Sequence, residues 1–145
     1  MSMKWYVDMS QKDTACKQKI LLIVGKSGAG KSTVCDELEQ DFGITQVRSY
    51  TTRQQRNAKD TGHIFVPDFD SWRACNPDEA MVGFTHFSGH TYWATQSQVE
   101  KGDVYVIDLD GVKFFKTHYT GDKQVEVVYI SVGAVERYRR MRRRG

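Results

Sequence analysis

The residues best placed to do chemistry form a glycine-rich segment that matches the phosphate-binding pattern GxxxxGK(S/T) at every required position. Its glycines allow a sharp backbone turn, so that amide N–H groups can point at phosphate oxygens. We expect the Lys31 ammonium to reach the β- and γ-phosphates of a nucleoside triphosphate, and the Ser32 hydroxyl to ligate Mg²⁺. The expected triphosphate-binding residues are Gly25, Lys26, Ser27, Gly28, Ala29, Gly30, Lys31, Ser32 and Thr33.

A second chemical feature is Asp108, which follows the apolar run at residues 104–107. An aspartate at the end of a core strand can hold the hydration shell of Mg²⁺ or orient an acceptor phosphate. Apolar runs that end in aspartate are common, so Asp108 indicates a functional site only when it is taken together with the glycine-rich segment. Together the two features indicate phosphoryl transfer, with Ser32 and Asp108 as the expected metal ligands.

Two groups of arginines supply positive charge for phosphate binding. Arg53 and Arg56 lie three residues apart, and two converging guanidinium groups can each bind a phosphate bidentately. The alternative for this pair is a solvated loop. The second group lies near the C-terminus, where the alternatives are a solvated basic helix or a nucleic-acid-binding tail. On a helix, three members of the second group would share one face: Arg137, Arg140 and Arg144.

Length and composition limit the classes of protein that fit. The chain has 145 residues, 39% hydrophobic and 27% charged, which suits one globular domain with one core. The net charge is +3, but six arginines lie among the last nine residues, and the remainder of the chain is net negative. We therefore expect no nucleic-acid partner, since such a protein usually spreads its basic surface more widely.

Other patterns bear on where the protein works. No apolar run approaches the roughly 18 residues needed to cross a bilayer, so we expect no membrane association. Residues 1–19 mix charged and apolar side chains without the apolar stretch of a secretory signal, and are expected to form an N-terminal extension. The three cysteines form no CxxC pair, which disfavours disulfides and zinc and fits a reducing cytoplasm.

Short apolar runs alternate with helical patterns, which predicts an α/β protein with a mainly parallel sheet flanked by helices. The predicted core strands cover residues 20–24, 44–49, 104–108 and 125–132, and the predicted helices cover residues 31–41, 111–118 and 134–144. Between about residues 62 and 93 the pattern changes to short β segments at residues 63–66, 81–87 and 91–93, with a hairpin at Ser88-Gly89-His90. This region predicts a small β insertion on a P-loop core.

With these pieces in order, the chain resembles the guanylate kinases from residue 20 to residue 145. The resembling segments are residues 25–33, 49–56, 62–66, 87–89 with Tyr92, 107–110 and the terminal arginine helix. The resemblance implies a cytoplasmic nucleoside monophosphate kinase that transfers the γ-phosphoryl group of ATP to GMP or dGMP, with Mg²⁺ as cofactor. Its expected partners are these small nucleotides, and the oligomeric state stays open.

The resemblance also assigns roles to individual residues. In that family the P-loop holds ATP, while the SxTTRxxR stretch and the β insertion, here about residues 50–95, hold GMP. Asp110 would contact the acceptor base, and a lid at about residues 134–145 would bring arginines onto the transferring phosphoryl group. The expected acceptor-phosphate residues are Ser49, Arg53, Arg56, His63 and Tyr92. The expected catalytic residues are Lys31, Arg53, Asp108, Arg140 and Arg144.

The acceptor side departs from the family's pattern. His63 stands where the family has a phosphate-binding tyrosine, Gly83 stands where it has a guanine-reading carboxylate, and Ala94 stands where it has a base-contacting serine. The sequence also stops inside the segment that resembles the lid, so the expected lid is truncated. Two alternatives stay open: a kinase for another small nucleotide or phosphorylated acceptor, and a non-enzymatic guanylate-kinase-like interaction module.

Overall fold

The computed structural model describes residues 18–144. The expected N-terminal extension at residues 1–19 lies outside it except for its last two residues, as does Gly145. The described strands are β1 (Lys19–Val24), β2 (Ser49–Thr51), β3 (His63–Phe65), β4 (Met81–Phe87), β5 (His90–Thr95), β6 (Val104–Val106) and β7 (Gln124–Tyr129). The described helices are α1 (Lys31–Phe42), α2 (Phe69–Cys75), α3 (Gln96–Lys101), α4 (Leu109–His118) and α5 (Ala134–Arg143).

The central sheet is parallel, in the order β6-β1-β7. Its middle strand carries Leu22, Ile23 and Val24, which are all buried, as expected for a parallel strand covered on both faces. The predicted α/β architecture with a parallel core is confirmed. Because the strands run in the same direction, the loops that follow β1 and β6 leave from the same edge of the sheet.

The second sheet is mixed, in the order β3-β2-β5-β4. β2 is parallel to β3 and antiparallel to β5, while β4 and β5 form a hairpin. The predicted hairpin turn is confirmed at Ser88 and Gly89, whose φ values of 51° and 77° suit the left-handed two-residue loop that follows the twist of paired strands. This sheet is the β insertion that the sequence predicted.

The strand predicted at residues 44–49 is wrong for most of its length. Gln46 forms only an isolated bridge with Val104, and β2 begins at Ser49. The reason is a set of long-range hydrogen bonds: the Thr45 N–H donates to the Asp103 carboxylate, and the Asp103 N–H donates back to the Thr45 carbonyl. These bonds, with the one from the Val47 N–H to the Val104 carbonyl, pair the segment with the first residue of β6.

One core joins the two sheets. It combines side chains of β1, the hairpin strands β4 and β5, β6 and α4, so the second sheet is packed directly on the parallel sheet. Its members include Ile20, Leu22, Val82, Ala94, Tyr105 and Phe115. Within residues 18–144, no helix has both the length and the apolar character needed to cross a membrane.

Candidate active site

The glycine-rich segment links β1 directly to α1, which is the arrangement the sequence predicted. Gly28 and Gly30 have φ values of 79° and 92°, a left-handed conformation that only glycine adopts at no steric cost. The loop therefore curls over the first turn of α1, where unpaired N–H groups and the positive end of the helix dipole favour an anion. The backbone of this loop is built to hold phosphate.

Lys31 lies at the start of α1, half-buried, with its ammonium turned back into the loop. Its Nζ donates hydrogen bonds to the carbonyl oxygens of Gly25, at 2.7 Å, and Lys26, at 3.2 Å. Burial lowers the pKa of the Lys31 ammonium, and the nearby Arg144 guanidinium lowers it further. A phosphate in the loop would counter both effects, because an opposite charge favours the ionised form.

The arginine helix α5 lies against the same loop. A Cβ built on Gly28 would come within 2.7 Å of the Arg137 carbonyl oxygen, so helix and loop are in contact through their backbones. Nη1 of Arg140 lies 3.5 Å from the carbonyl oxygens of Gly28 and Ala29, and its Nε bonds Glu136 at 3.0 Å. A cleft of about 440 Å³ opens between loop and helix, lined by Ala29, Gly30, Thr33, Val34, Glu37, Arg140, Arg143 and Arg144.

A separate cluster on the second sheet contains most of the expected acceptor-phosphate residues. The strand register pairs Ser49 with His63, and Ser49 Oγ lies 2.9 Å from His63 Nδ1. The His63 and Tyr92 rings meet edge to face with centroids 5.4 Å apart. Thr51 of β2 stands opposite Tyr92 of β5. Three strands thus bring together groups that are 14 to 43 positions apart in the sequence.

Arg53 joins this cluster through a partner that the sequence reasoning missed. Its guanidinium donates to both carboxylate oxygens of Asp60, at 2.7 and 3.2 Å, and lies 5.3 Å from the centre of the Phe65 ring. The Arg56 N–H also donates to Asp60, at 3.0 Å, while its side chain is exposed. The hydrogen bond from Arg53 lowers the pKa of Asp60. The signal available in the sequence was a carboxylate four residues beyond Arg56.

Asp108 follows β6 and is the N-cap of α4. Its Oδ1 accepts the Gly111 N–H at 2.6 Å, and its Oδ2 accepts the Thr85 hydroxyl at 2.9 Å. The Ile107 N–H bonds the Ile23 carbonyl, so Asp108 leaves the same sheet edge as the phosphate loop. The bond from Thr85, which sequence reasoning did not anticipate, ties Asp108 to the second sheet.

The expected metal ligands, Ser32 and Asp108, offer oxygen donors of the type that Mg²⁺ prefers. Ser32 is exposed in the first turn of α1, and Asp108 stands half-buried at the neighbouring strand end. Within residues 18–144 there is no cluster of three or more histidine, cysteine or carboxylate side chains that could hold a metal. Two hard oxygen donors nevertheless suit Mg²⁺, which takes its other ligands from phosphates and water.

The two positions expected near the acceptor base, Asp110 and Gly83, differ in their surroundings, since one is exposed and the other is buried. Asp110 is exposed in the first turn of α4, where it pairs with Lys113 at 3.1 Å, and its role remains a prediction. Gly83 is buried opposite Ala94, and a Cβ built on it would lie 2.4 Å from the Tyr105 hydroxyl oxygen. A side chain at position 83 would therefore point at Tyr105 in the core.

Comparisons with known proteins agree with this fold and loop. The family model described as AAA domain matches residues 21–145. The guanylate kinase of Mycoplasma capricolum is 32% identical over 102 residues, which cover 65% of this chain and 34% of that protein. The guanylate kinase of Cupriavidus metallidurans is 27% identical over 141 residues, which cover 92% of this chain and 64% of that protein.

A comparison of folds also finds a guanylate kinase. The crystal structure of guanylate kinase from Anaplasma phagocytophilum superimposes with a TM-score of 0.57 at 22% identity, covering 88% of this chain and 66% of that one. The chain spans about a third to two thirds of the length of the curated relatives described above. It belongs to the family that the AAA-domain model describes, and it is similar in sequence and in fold to guanylate kinases.

Proposed function

We propose that this chain transfers the γ-phosphoryl group of ATP to a nucleoside monophosphate, GMP or dGMP, in the cytoplasm. The observation that carries the proposal is the pairing of an intact phosphate loop, contacted by Arg140, with a second cationic cluster around Arg53. A nucleoside monophosphate kinase needs two phosphate sites of this kind. The names of the relatives support the choice of acceptor.

On the donor side, the loop amides and the start of α1 would hold the ATP phosphates. Lys31 would exchange the Gly25 and Lys26 carbonyls for phosphate oxygens, because a charged acceptor makes the stronger hydrogen bond. Arg140, and Arg144 beside Lys31, would neutralise charge that spreads over the transferring group. These groups are held in place before the reaction, which is how electrostatic catalysis avoids reorganisation.

On the acceptor side, Arg53 would bind the monophosphate while Asp60 fixes its orientation. Ser49, His63 and Tyr92 would complete the phosphate site, with Arg56 adding charge from the surface. Asp108 would orient the reacting phosphates or their bound water. When present, Mg²⁺ bridges phosphate oxygens and offsets their charge, and the residues that would hold it are Ser32 and Asp108.

A second acceptor class is favoured by one observation. Gly83 contributes no side chain to read a base, and the space beside it is filled by Tyr105. Asp110 alone would then distinguish guanine, so we expect a weaker preference for GMP over AMP than a pocket with a second base-reading carboxylate would give. An unmatched buried donor costs about 1–3 kcal/mol, or roughly 5- to 150-fold in affinity. Another small nucleotide or phosphorylated molecule is therefore the second candidate acceptor.

The proposal is tested by ADP release from ATP–Mg²⁺ against GMP, dGMP, AMP, CMP and UMP, with a reaction lacking acceptor as the control. We expect GMP and dGMP to give the highest kcat/KM. Release that is equal with and without every acceptor would contradict a monophosphate kinase. ATP binding without any turnover would instead favour the interaction module.

A further inference from the structure

His63 differs from the other members of the acceptor cluster because its charge can change near neutral pH. It stands on β3, where the hydrogen bond of its Nδ1 with Ser49 on β2 and the ring of Tyr92 on β5 fix its orientation. An imidazole held at one nitrogen presents the other, Nε2, as its second hydrogen-bonding atom. The ring is therefore positioned by the strand register and not by chance.

The groups around this ring include some that lower the pKa of His63 and some that raise it. Burial lowers the pKa of His63 most, and the Arg53 guanidinium lowers it next. Asp60 and a hydrogen bond with the Ser49 backbone raise the pKa, and Arg56 adds a smaller lowering. In the ligand-free protein His63 is consequently a neutral imidazole at physiological pH, and Ser49 can donate its hydroxyl hydrogen to Nδ1.

An acceptor phosphate would reverse this balance, because it brings up to two negative charges among the groups that hold Arg53. We propose that His63 binds the acceptor phosphate through Nε2–H and takes up one proton from solvent as it does so. This inference rests on the proposed function, since it takes the phosphate of a nucleoside monophosphate as the ligand of the cluster.

The proton balance is simple. The neutral ring gains a hydrogen and becomes an imidazolium with two donors, Nδ1–H toward Ser49 Oγ and Nε2–H toward the phosphate. Ser49 then accepts where it formerly donated, and its own hydroxyl hydrogen is released to bond the same phosphate. One proton taken from solvent thus frees the Ser49 hydroxyl as one new donor to the ligand, beside the Nε2–H that the neutral ring already carried.

The direction of the pH dependence follows from linkage. Binding raises the pKa of His63, so the extra affinity is present below the pKa of the free protein and is lost as pH rises through the pKa of the complex. The KM of the acceptor should therefore increase across neutral pH, while kcat changes less. The KM of ATP should not follow this profile, since His63 lies in the other phosphate site.

The test is calorimetry of GMP binding to the full chain, without ATP, in two buffers of different ionisation enthalpy. Wild type is compared with His63→Tyr, which cannot titrate near neutrality, and His63→Gln, which keeps a hydrogen-bonding side chain beside Ser49. Free GMP titrates identically in all three, so the difference reports the change made at position 63 in the bound state. We expect wild type to take up more protons, by up to about one per GMP. Between about pH 6 and pH 8 its affinity should fall more steeply, on the order of tenfold.

NMR titration of the histidine ring signals in wild type gives a second reading that needs no variant. The His63 signal should titrate at higher pH with GMP than without it, while His118, exposed on α4 and bonded to the Phe114 carbonyl, should not move. Equal proton counts in wild type and variants, or an unmoved His63 signal at saturation, would overturn the inference. Absence of GMP binding would overturn both it and the proposed acceptor. Proton-linked binding of GMP without ADP release would support the inference about His63 and contradict only the proposed kinase activity.

Discussion

Asp60 accepts two hydrogen bonds from the Arg53 guanidinium, at 2.7 and 3.2 Å, and both side chains are largely buried, with 16% and 11% of their surfaces exposed. A buried bidentate pair of this kind fixes the plane of the guanidinium. The proposed acceptor site therefore contains an arginine whose orientation is set before any ligand arrives.

Removing this carboxylate should loosen the acceptor site. We expect Asp60→Asn to raise the KM of the acceptor about tenfold or more, with a smaller effect on the KM of ATP, because Arg53 loses a charged partner. Steady-state kinetics in both substrates measures this. An increase in the KM of ATP equal to that of the acceptor would contradict a role confined to the acceptor site.

The same pair predicts a dependence of stability on pH. The pKa of Asp60 is lower in the folded protein than in the unfolded chain, so its stabilisation is present above about pH 4, the unfolded value, and is lost as pH falls through the folded value. Urea unfolding should therefore show wild type and Asp60→Asn converging in free energy of unfolding at low pH. A constant difference down to acid pH would show that ionisation of Asp60 does not stabilise the fold.

Lys31→Ala should remove phosphoryl transfer while the fold persists. Preorganised charges of this kind contribute about 10²–10³-fold in rate, and in the ligand-free protein the Lys31 ammonium bonds the Gly25 and Lys26 carbonyls of the loop. Lys116→Ala, an exposed lysine of α4, is the matched control and should be neutral. The measurement is ADP release with GMP, together with circular dichroism to check folding. Wild-type turnover by Lys31→Ala would remove the donor site from the account.

Two arginines of α5 that share the partner Glu136 should differ in their importance. Arg140 reaches the carbonyls of Gly28 and Ala29, whereas the side chain of Arg139 is 59% exposed. We expect Arg140→Ala to lower kcat on the order of 10²-fold and Arg139→Ala to leave it nearly unchanged. Equal losses in both variants would indicate a general effect of helix charge and not a contact with the transferring group.

A side chain at position 83 should destabilise the fold, because the Tyr105 ring occupies the space that its Cβ would need. A Cβ at Gly83 would lie 2.4 Å from the tyrosine oxygen and about 3 Å from two ring carbons, whereas a Cβ at Gly62 would meet nothing within 4 Å. Overpacking a core typically costs about 1–3 kcal/mol, so Gly83→Ala should lose that much free energy of unfolding and Gly62→Ala far less. Similar unfolding midpoints for the two variants would place Tyr105 elsewhere.

The parts that sequence could predict are those fixed by local patterns. β1, the phosphate loop and α1 follow from an apolar run, a motif and a helical periodicity that adjoin one another. Short helices were missed although their caps were visible: Asp68 accepts the Ser71 N–H, and Thr95 forms a capping box with Gln98. α2 and α3 have only seven and six residues, too few for a helical period to stand out.

Relations between distant segments lay beyond the sequence. The contact of Gly83 with Tyr105 joins two sheets, and the partnership of Asp60 with Arg53 depends on the path of a loop. Neither has a local signature. Ser49, His63 and Tyr92 were nevertheless expected to share one site, and their side chains do lie together, because the resemblance supplied long-range information that periodicity does not contain. Their role in binding a phosphate stays a prediction.

The most direct test of the central claim is transfer of the radiolabel from γ-³²P-labelled ATP to GMP, followed by separation of the nucleotides. The account predicts labelled GDP that forms in step with ADP, requires Mg²⁺, and disappears in Lys31→Ala. Label released only as inorganic phosphate, or no loss of label from ATP with GMP or any other nucleoside monophosphate, would contradict it.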